Sequence, residues 1–231
     1  MPAYCHAAAY AAFVRELPAI DSTSGLFRAA FAIAMHEYPE ADVTKAEAAI
    51  SELAETTRRR VHSANVEARL AHLHDVLFDL VGFVGNGDDY YNPANSYLPE
   101  VLRTHRGLPI TLVLIYKCVA ERLGLRVLGI NSPGHFLAAI RNDDLVGSSE
   151  DAKKWMYVDP FYGGELLNRN EVCRRISDTT GLTTDDSPRW LAPATHRQWL
   201  ARMLNNLQAV FALSGRERDV YAMQELQELL T

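Results

Sequence analysis

Apolar residues recur at helical spacing through the first 85 positions. Leu26, Ala29, Ala30, Ile33 and Ala34 mark one helix, and Ile50, Leu53 and Ala54 mark another. A longer amphipathic helix follows from about Asn65 to Val84, with Leu70, Leu73, Leu77, Leu80 and Val81 on one side. It is expected to stop at the breaker-rich Gly85-Asn86-Gly87-Asp88-Asp89. Tyr90 to Ser96 has turn chemistry, and Ser96 is placed to cap a short helix over Tyr97 to Arg103. The most apolar helix starts near Pro109, whose missing N–H costs nothing in a first turn, and runs through Leu112, Ile115, Val119 and Leu123 to Gly124.

After Gly124 the period changes. Val127 to Ile130, His135 to Ile140 and Trp155 to Val158 are short β-type runs bounded by Gly, Pro, Asn and Asp, and predict a small antiparallel sheet. The polar stretch from Arg141 to Lys154 is their mobile connection. From Arg197 to Leu230, two helical patterns flank Ser214-Gly215 and read as an antiparallel hairpin. No second copy of that pair occurs, so a cap on the core is expected rather than a solenoid. The pattern predicts an α+β chain: a helical region over 1–85, a core over 86–190 and a helical hairpin over 191–231, folding as one cooperative unit.

At 231 residues and 48% hydrophobic content, the chain suffices for one substantial core, with or without a small helical appendage. Net charge is −6 and no long basic run occurs; Arg58-Arg59-Arg60 reads as a solvated helix end, so a nucleic-acid partner is not expected. Cys5, Cys118 and Cys173 are widely spaced and outside any C-x-x-C pattern, which argues against a disulfide framework or a structural zinc site. No stretch reaches the length of a membrane span, and no basic segment precedes an apolar run with a processing site. The expectation is a cytoplasmic protein without membrane contact.

Two residues carry candidate chemistry. His135 follows Ser132-Pro133-Gly134 and Asp159 closes a later strand before Pro160, 24 residues away. In antiparallel neighbours both side chains fall at one end of the sheet, where the carboxylate can accept a ring N–H and fix the tautomer of a general base. Spacing alone leaves the structural alternative open, because a histidine beside an apolar strand is often a satisfied core residue.

Four motifs add to this: Asn92-Pro93-Ala94-Asn95-Ser96-Tyr97-Leu98-Pro99-Glu100-Val101-Leu102, Arg106-Gly107-Leu108-Pro109-Ile110-Thr111-Leu112, Asn131-Ser132-Pro133-Gly134-His135-Phe136-Leu137 and Val158-Asp159-Pro160-Phe161-Tyr162-Gly163-Gly164. In these, over roughly residues 25 to 230, the chain resembles the soluble bacterial SirB-type proteins, transglutaminase-like (papain-like) domains followed by tetratricopeptide-like helices. The resemblance implies a core in which a cysteine at a helix N-terminus is served by a histidine and an aspartate. His135 and Asp159 match the last two, whereas the cysteine position falls on Pro109, or with a small shift on Ile110 or Thr111.

None of these is a thiol. Thr111 is the one conceivable nucleophile, and a threonine hydroxyl there more readily bonds the first helical turn. Cys118 lies two turns further, about 10.5 Å along the axis, and reads as an inert core thiol. Cys173 falls in a later helix and Cys5 near an unstructured start.

Asn95, Glu100 and Arg106 are cleft-lining candidates from the resemblance, with the plainer readings that Asn95 stabilises its turn and that Glu100 pairs with Arg106. Gly163-Gly164 permits a tight turn near the cleft. His72 and His74, two apart on a helix, point to different sides and cannot share a metal ion. No cofactor is expected.

The leading expectation is a degenerate transglutaminase-like module that binds a peptide or protein partner, a pseudoenzyme. The first alternative is an amide or ester hydrolase or transferase using His135 and Asp159 without a thiol. The second is a purely structural His–Asp pair.

Overall fold

The computed structural model describes residues 2–63, 65–142, 155–183 and 188–231. Residues 143–154, most of the connection expected to be mobile, lie outside them. Four helices come first: α1 (Ala7–Glu16), α2 (Thr23–Ala34), α3 (Val43–Arg58) and α4 (Val66–His74). Ser22, Asp42 and Asn65 start the last three by accepting backbone N–H groups of the first turns.

The helix expected to reach Val84 changes character at Asp75. Asp75–Leu80 winds as a π-helix, with the Val81 N–H bonded to the Val76 carbonyl at 3.0 Å, and Gly82 at φ +82° ends it. Val84–Gly85 is instead a two-residue strand, β1, paired in parallel with β2 (Arg106–Gly107). Ser96 caps nothing. It closes a 3₁₀ turn over Pro93–Ser96 that Asn92 caps, and α5 (Leu98–Thr104) begins after Tyr97 without a side-chain cap.

The central helix α6 (Pro109–Arg122) is buried from Pro109 to Ala120. Lys117 on it is also buried, its Nζ bonded to Glu121 and, at 2.7 Å, to the Val127 carbonyl. Against α6 lies an antiparallel sheet in sequence order: β3 (Val127–Ile130), β4 (Leu137–Arg141), β5 (Trp155–Asp159) and β6 (Glu165–Leu167). Then come α7 (Arg169–Thr180), a 3₁₀ turn at Pro188–Leu191, α8 (His196–Leu213) and α9 (Glu217–Glu228). Capping boxes open α7 (Asn168, Glu171) and α8 (Thr195, Gln198). Arg197 reaches the Leu230 carbonyl and Gln208 bonds Gln227, so α8 and α9 run antiparallel.

Alternation along the strands divides the apolar interior into two layers, where the composition suggested one. Val127, Ala138, Ile140 and Val158 join the main layer, which extends from Cys5 through α2, α3 and α6 to Leu226. Leu137, Ala139, Tyr157 and Leu167 point the other way, onto Val172 and Ile176 of α7 and Trp190. The helical sides close on each other through polar clamps. The Glu225 carboxylate accepts the backbone N–H groups of Ala3 and Cys5 at 2.7 and 2.8 Å, so Cys5 is buried and anchored rather than loose. His36 bonds Asp219 at 2.9 Å.

Candidate functional site

The antiparallel register of β4 and β5 pairs Ala138 with Val158. His135 therefore sits in the turn just before β4, at the same end of the sheet as Asp159, the last residue of β5. Its Nε2 lies 2.8 Å from Asp159 Oδ2. An ionised carboxylate only accepts, so Nε2 carries the proton of the neutral ring and Nδ1 keeps the lone pair. The imidazole side chain is 13% exposed and the carboxylate 0%.

A buried carboxylate needs compensation, and α7 supplies it. Arg175 Nη1 donates to Asp159 Oδ2 at 2.5 Å and Nη2 to Glu165 Oε2 at 2.7 Å. Burial would lower the Arg175 pKa, but its hydrogen bonds and charge contacts with Glu165 and Asp159 outweigh this and raise it. The Phe161 N–H donates to Asp159 Oδ1 at 3.1 Å, so both carboxylate oxygens are engaged.

The turn after Asp159 is fixed from behind. Gly164 donates its N–H to the Asp159 carbonyl at 2.9 Å at φ +78°, and a Cβ there would lie 2.2 Å from the Phe78 ring. A Cβ on Gly85 would lie 2.3 Å from the Phe161 ring. The π-helical turn and β1 thus press on Pro160–Gly164 from two sides. On the histidine side, Arg202 of α8 donates to the Ser132 carbonyl at 2.8 Å and to the Asn131 side chain, holding the turn that delivers His135.

His135 opens into a cavity of about 400 Å³ that Pro109, Tyr90, Tyr91, Phe161, Tyr162 and Arg175 also line. Among the three residues matched to the cysteine position, it is Pro109 that borders this cavity. Thr111 is fully buried, is absent from the lining, and its hydroxyl has no hydrogen-bond partner among the described residues. Cys118 is also buried, and burial pushes its thiol up to about 12; Cys5 reaches about 12 as well, through burial and then Glu225.

Asn95, Glu100 and Arg106 do not join the cavity. Asn95 is buried in its turn, bonding the Asp89 and Tyr90 carbonyls and Asn86. The expected Glu100–Arg106 pair does not form. Glu100 takes Arg103 on its own helix at 2.6 Å, and Arg106 on β2 approaches Asp88 at 3.7 Å. His74 bonds the Tyr116 hydroxyl at 2.9 Å, and burial lowers its pKa to about 4.

The N-terminus of α6 and His135 thus border one cavity, with the buried Asp159 behind the histidine. The chain belongs to the transglutaminase-like superfamily, whose sequence model matches residues 44–205. Within it, the chain is similar to a UPF0162 protein of Xylella fastidiosa strain 9a5c, 34% identical over 200 residues that cover 85% of this chain and 68% of that one. A UPF0162 protein of Vibrio cholerae is 23% identical over 71% of this chain and 57% of its own length. F-box only protein 21 of Mus musculus is 38% identical over 96 residues, 42% of this chain and 15% of that protein. No solved structure matches the chain. Among the described residues no helix is long and apolar enough to cross a membrane.

Proposed function

We propose that this is a transglutaminase-like module without thiol chemistry, whose cavity binds an extended segment of a peptide or protein partner. The observation that carries the reading is the position of Pro109. It opens α6 on the cavity that His135 borders, and none of the described lining residues is a cysteine. A proline offers neither a nucleophile nor the N–H that a helix N-terminus would otherwise present. The likeness to F-box only protein 21 supports a protein partner, because the matched segment is one part of a much longer chain. The antiparallel α8–α9 pair supports the SirB-type, tetratricopeptide-like reading of the C-terminal region. The three cysteines, widely spaced and outside any C-x-x-C pattern, fit a reducing cytoplasm.

The test uses a plugged cavity. Gly87 lines it, and a Cβ added there would meet nothing within 4 Å, so Gly87→Trp is the substitution chosen to place a large ring at the cavity wall. Selection from a random peptide library should enrich binders on the wild-type chain and none on Gly87→Trp. Enrichment on neither, or equally on both, overturns the reading.

One observation favours a second reading, an enzyme with water or a substrate hydroxyl as nucleophile. Nε2 of His135 is taken by Asp159, and no hydrogen bond among the described residues engages Nδ1, which leaves a base at the cavity. That reading requires a sigmoidal or bell-shaped pH–rate profile on amides or esters that His135→Ala abolishes.

A further inference from the structure

We propose that the segment received by this cavity is proline-rich and bound as a polyproline II helix; the inference rests on the peptide-binding reading above and names its ligand class.

Three features carry it. The first is an exposed aromatic wall. Tyr91 is 68% exposed, Tyr162 58% and Tyr90 38%, an unusual outlay of large rings around one opening. The rings form a chain: Tyr91 to Tyr90 at 5.5 Å, Tyr90 to Phe161 at 6.1 Å and Phe161 to Tyr162 at 5.2 Å between centroids. Successive planes are steeply inclined, at 79°, 66° and 77°, so the wall alternates ring faces and edges. Electron-rich faces attract the weakly positive C–H groups of pyrrolidine rings, which sit between them with little entropy to lose.

The second is the absence of a β-ladder. None of the described lining residues belongs to a strand, so a peptide cannot bind here by adding a strand to the sheet. A polyproline II segment needs no ladder, because its backbone makes no internal or lateral set of hydrogen bonds.

The third is donor–acceptor balance. Asp159 has spent both oxygens on His135, Arg175 and Phe161, whereas the three tyrosine hydroxyls can donate. Burial raises the Tyr90 pKa, which keeps that phenol protonated. A proline-rich chain presents carbonyl acceptors and few N–H donors, the complement of such a rim. His135 Nδ1 remains to accept a single N–H or hydroxyl from a non-proline residue of the ligand.

The experiment titrates the whole chain into a fluorescein-labelled decaproline flanked by serines, and into an equally long alanine–serine peptide, following anisotropy. The proline peptide should bind about tenfold or more tightly than the control. Tyr91→Ala and Tyr162→Ala should each weaken it about fivefold or more with no change in melting temperature, both side chains being largely exposed. Equal binding of the two peptides, still lost in the tyrosine variants, overturns the proline inference and leaves peptide binding standing. Proline binding indifferent to both tyrosines places it elsewhere and also overturns the inference. If neither peptide binds while library peptides are retained, the inference alone fails; if library peptides are not retained either, both fail.

Discussion

Nη1 of Arg175 lies 2.5 Å from Oδ2 of Asp159, an oxygen on a side chain that solvent does not reach. Removing this partner leaves a buried carboxylate supported by His135 and one backbone N–H. Arg175→Met is therefore expected to cost about 3 kcal/mol of stability, the range for breaking a buried pair from one side. The double variant with Asp159→Asn should recover more than about 1 kcal/mol of that loss. Arg175→Lys should recover little, since one ammonium cannot reproduce the fork shared between Asp159 and Glu165. Urea unfolding of the wild type, Arg175→Met, Asp159→Asn, their double variant and Arg175→Lys measures these quantities, and additive costs would dissolve the proposed dependence.

Gly164→Ala meets both a positive φ and the Phe78 ring, and is expected to destabilise by about 1–3 kcal/mol. In a Phe78→Ala background the steric part vanishes and the backbone part stays. The cost there should fall by more than about 1 kcal/mol without reaching zero. An unchanged penalty in the two backgrounds would mean that the ring can step aside.

Stability should carry the signature of His74. Its folded pKa is lowered from 6.5 to about 4 by burial, so in the interval between those values the unfolded chain binds a proton that the folded chain does not. Stability therefore falls as pH drops from about 6.5 to about 4, by at most about 3 kcal/mol, and this group adds no further slope above or below that window. His74→Gln should flatten the fall. Urea midpoints at pH 7.5 and 4.5 compare the two, and equal losses in both proteins would assign the slope to other groups.

Pro109→Cys places a thiol at the N-terminus of α6 on the cavity wall that His135 shares. The helix terminus and the neighbouring ring should give it a larger thiolate fraction than an ordinary cysteine, while Cys118 stays unreactive in its burial. Iodoacetamide at pH 7 should modify the new site faster than a free thiol standard, read by peptide mass analysis. Modification no faster than the standard would put residue 109 outside the influence of His135.

The sequence carried the site unevenly. Pro109 to Gly124 was legible because a long apolar run between an opening proline and a closing glycine admits few alternatives, and α6 occupies that span. The three longer strands were legible from their β-branched and aromatic runs. Strand β6 was not, since Leu167 is the one buried residue in three. Arg175 escaped notice because it is one of several charged residues on an amphipathic helix, and only the fold turns that one toward Asp159. Ion pairs were misassigned for a related reason. Glu100 had a partner one helical turn away in Arg103, and local geometry prevailed over Arg106. Tyr90 and Tyr91 read as turn residues, because sequence does not say which turn borders a cavity.

The π-helical turn at Asp75–Leu80 has the form of a single residue inserted into an α-helix and kept. Excising one residue there would restore regular winding and lose no apolar side chain from the core pattern by necessity. It would, however, rotate every later position by about a quarter turn or more. Phe78 would then leave Gly164, and the loop carrying Phe161 and Tyr162 would lose its backing. The irregularity thus acts as a phase setting: it times the arrival of one aromatic ring so that a helix remote in sequence from the Pro160–Gly164 loop fixes that loop beside the cavity.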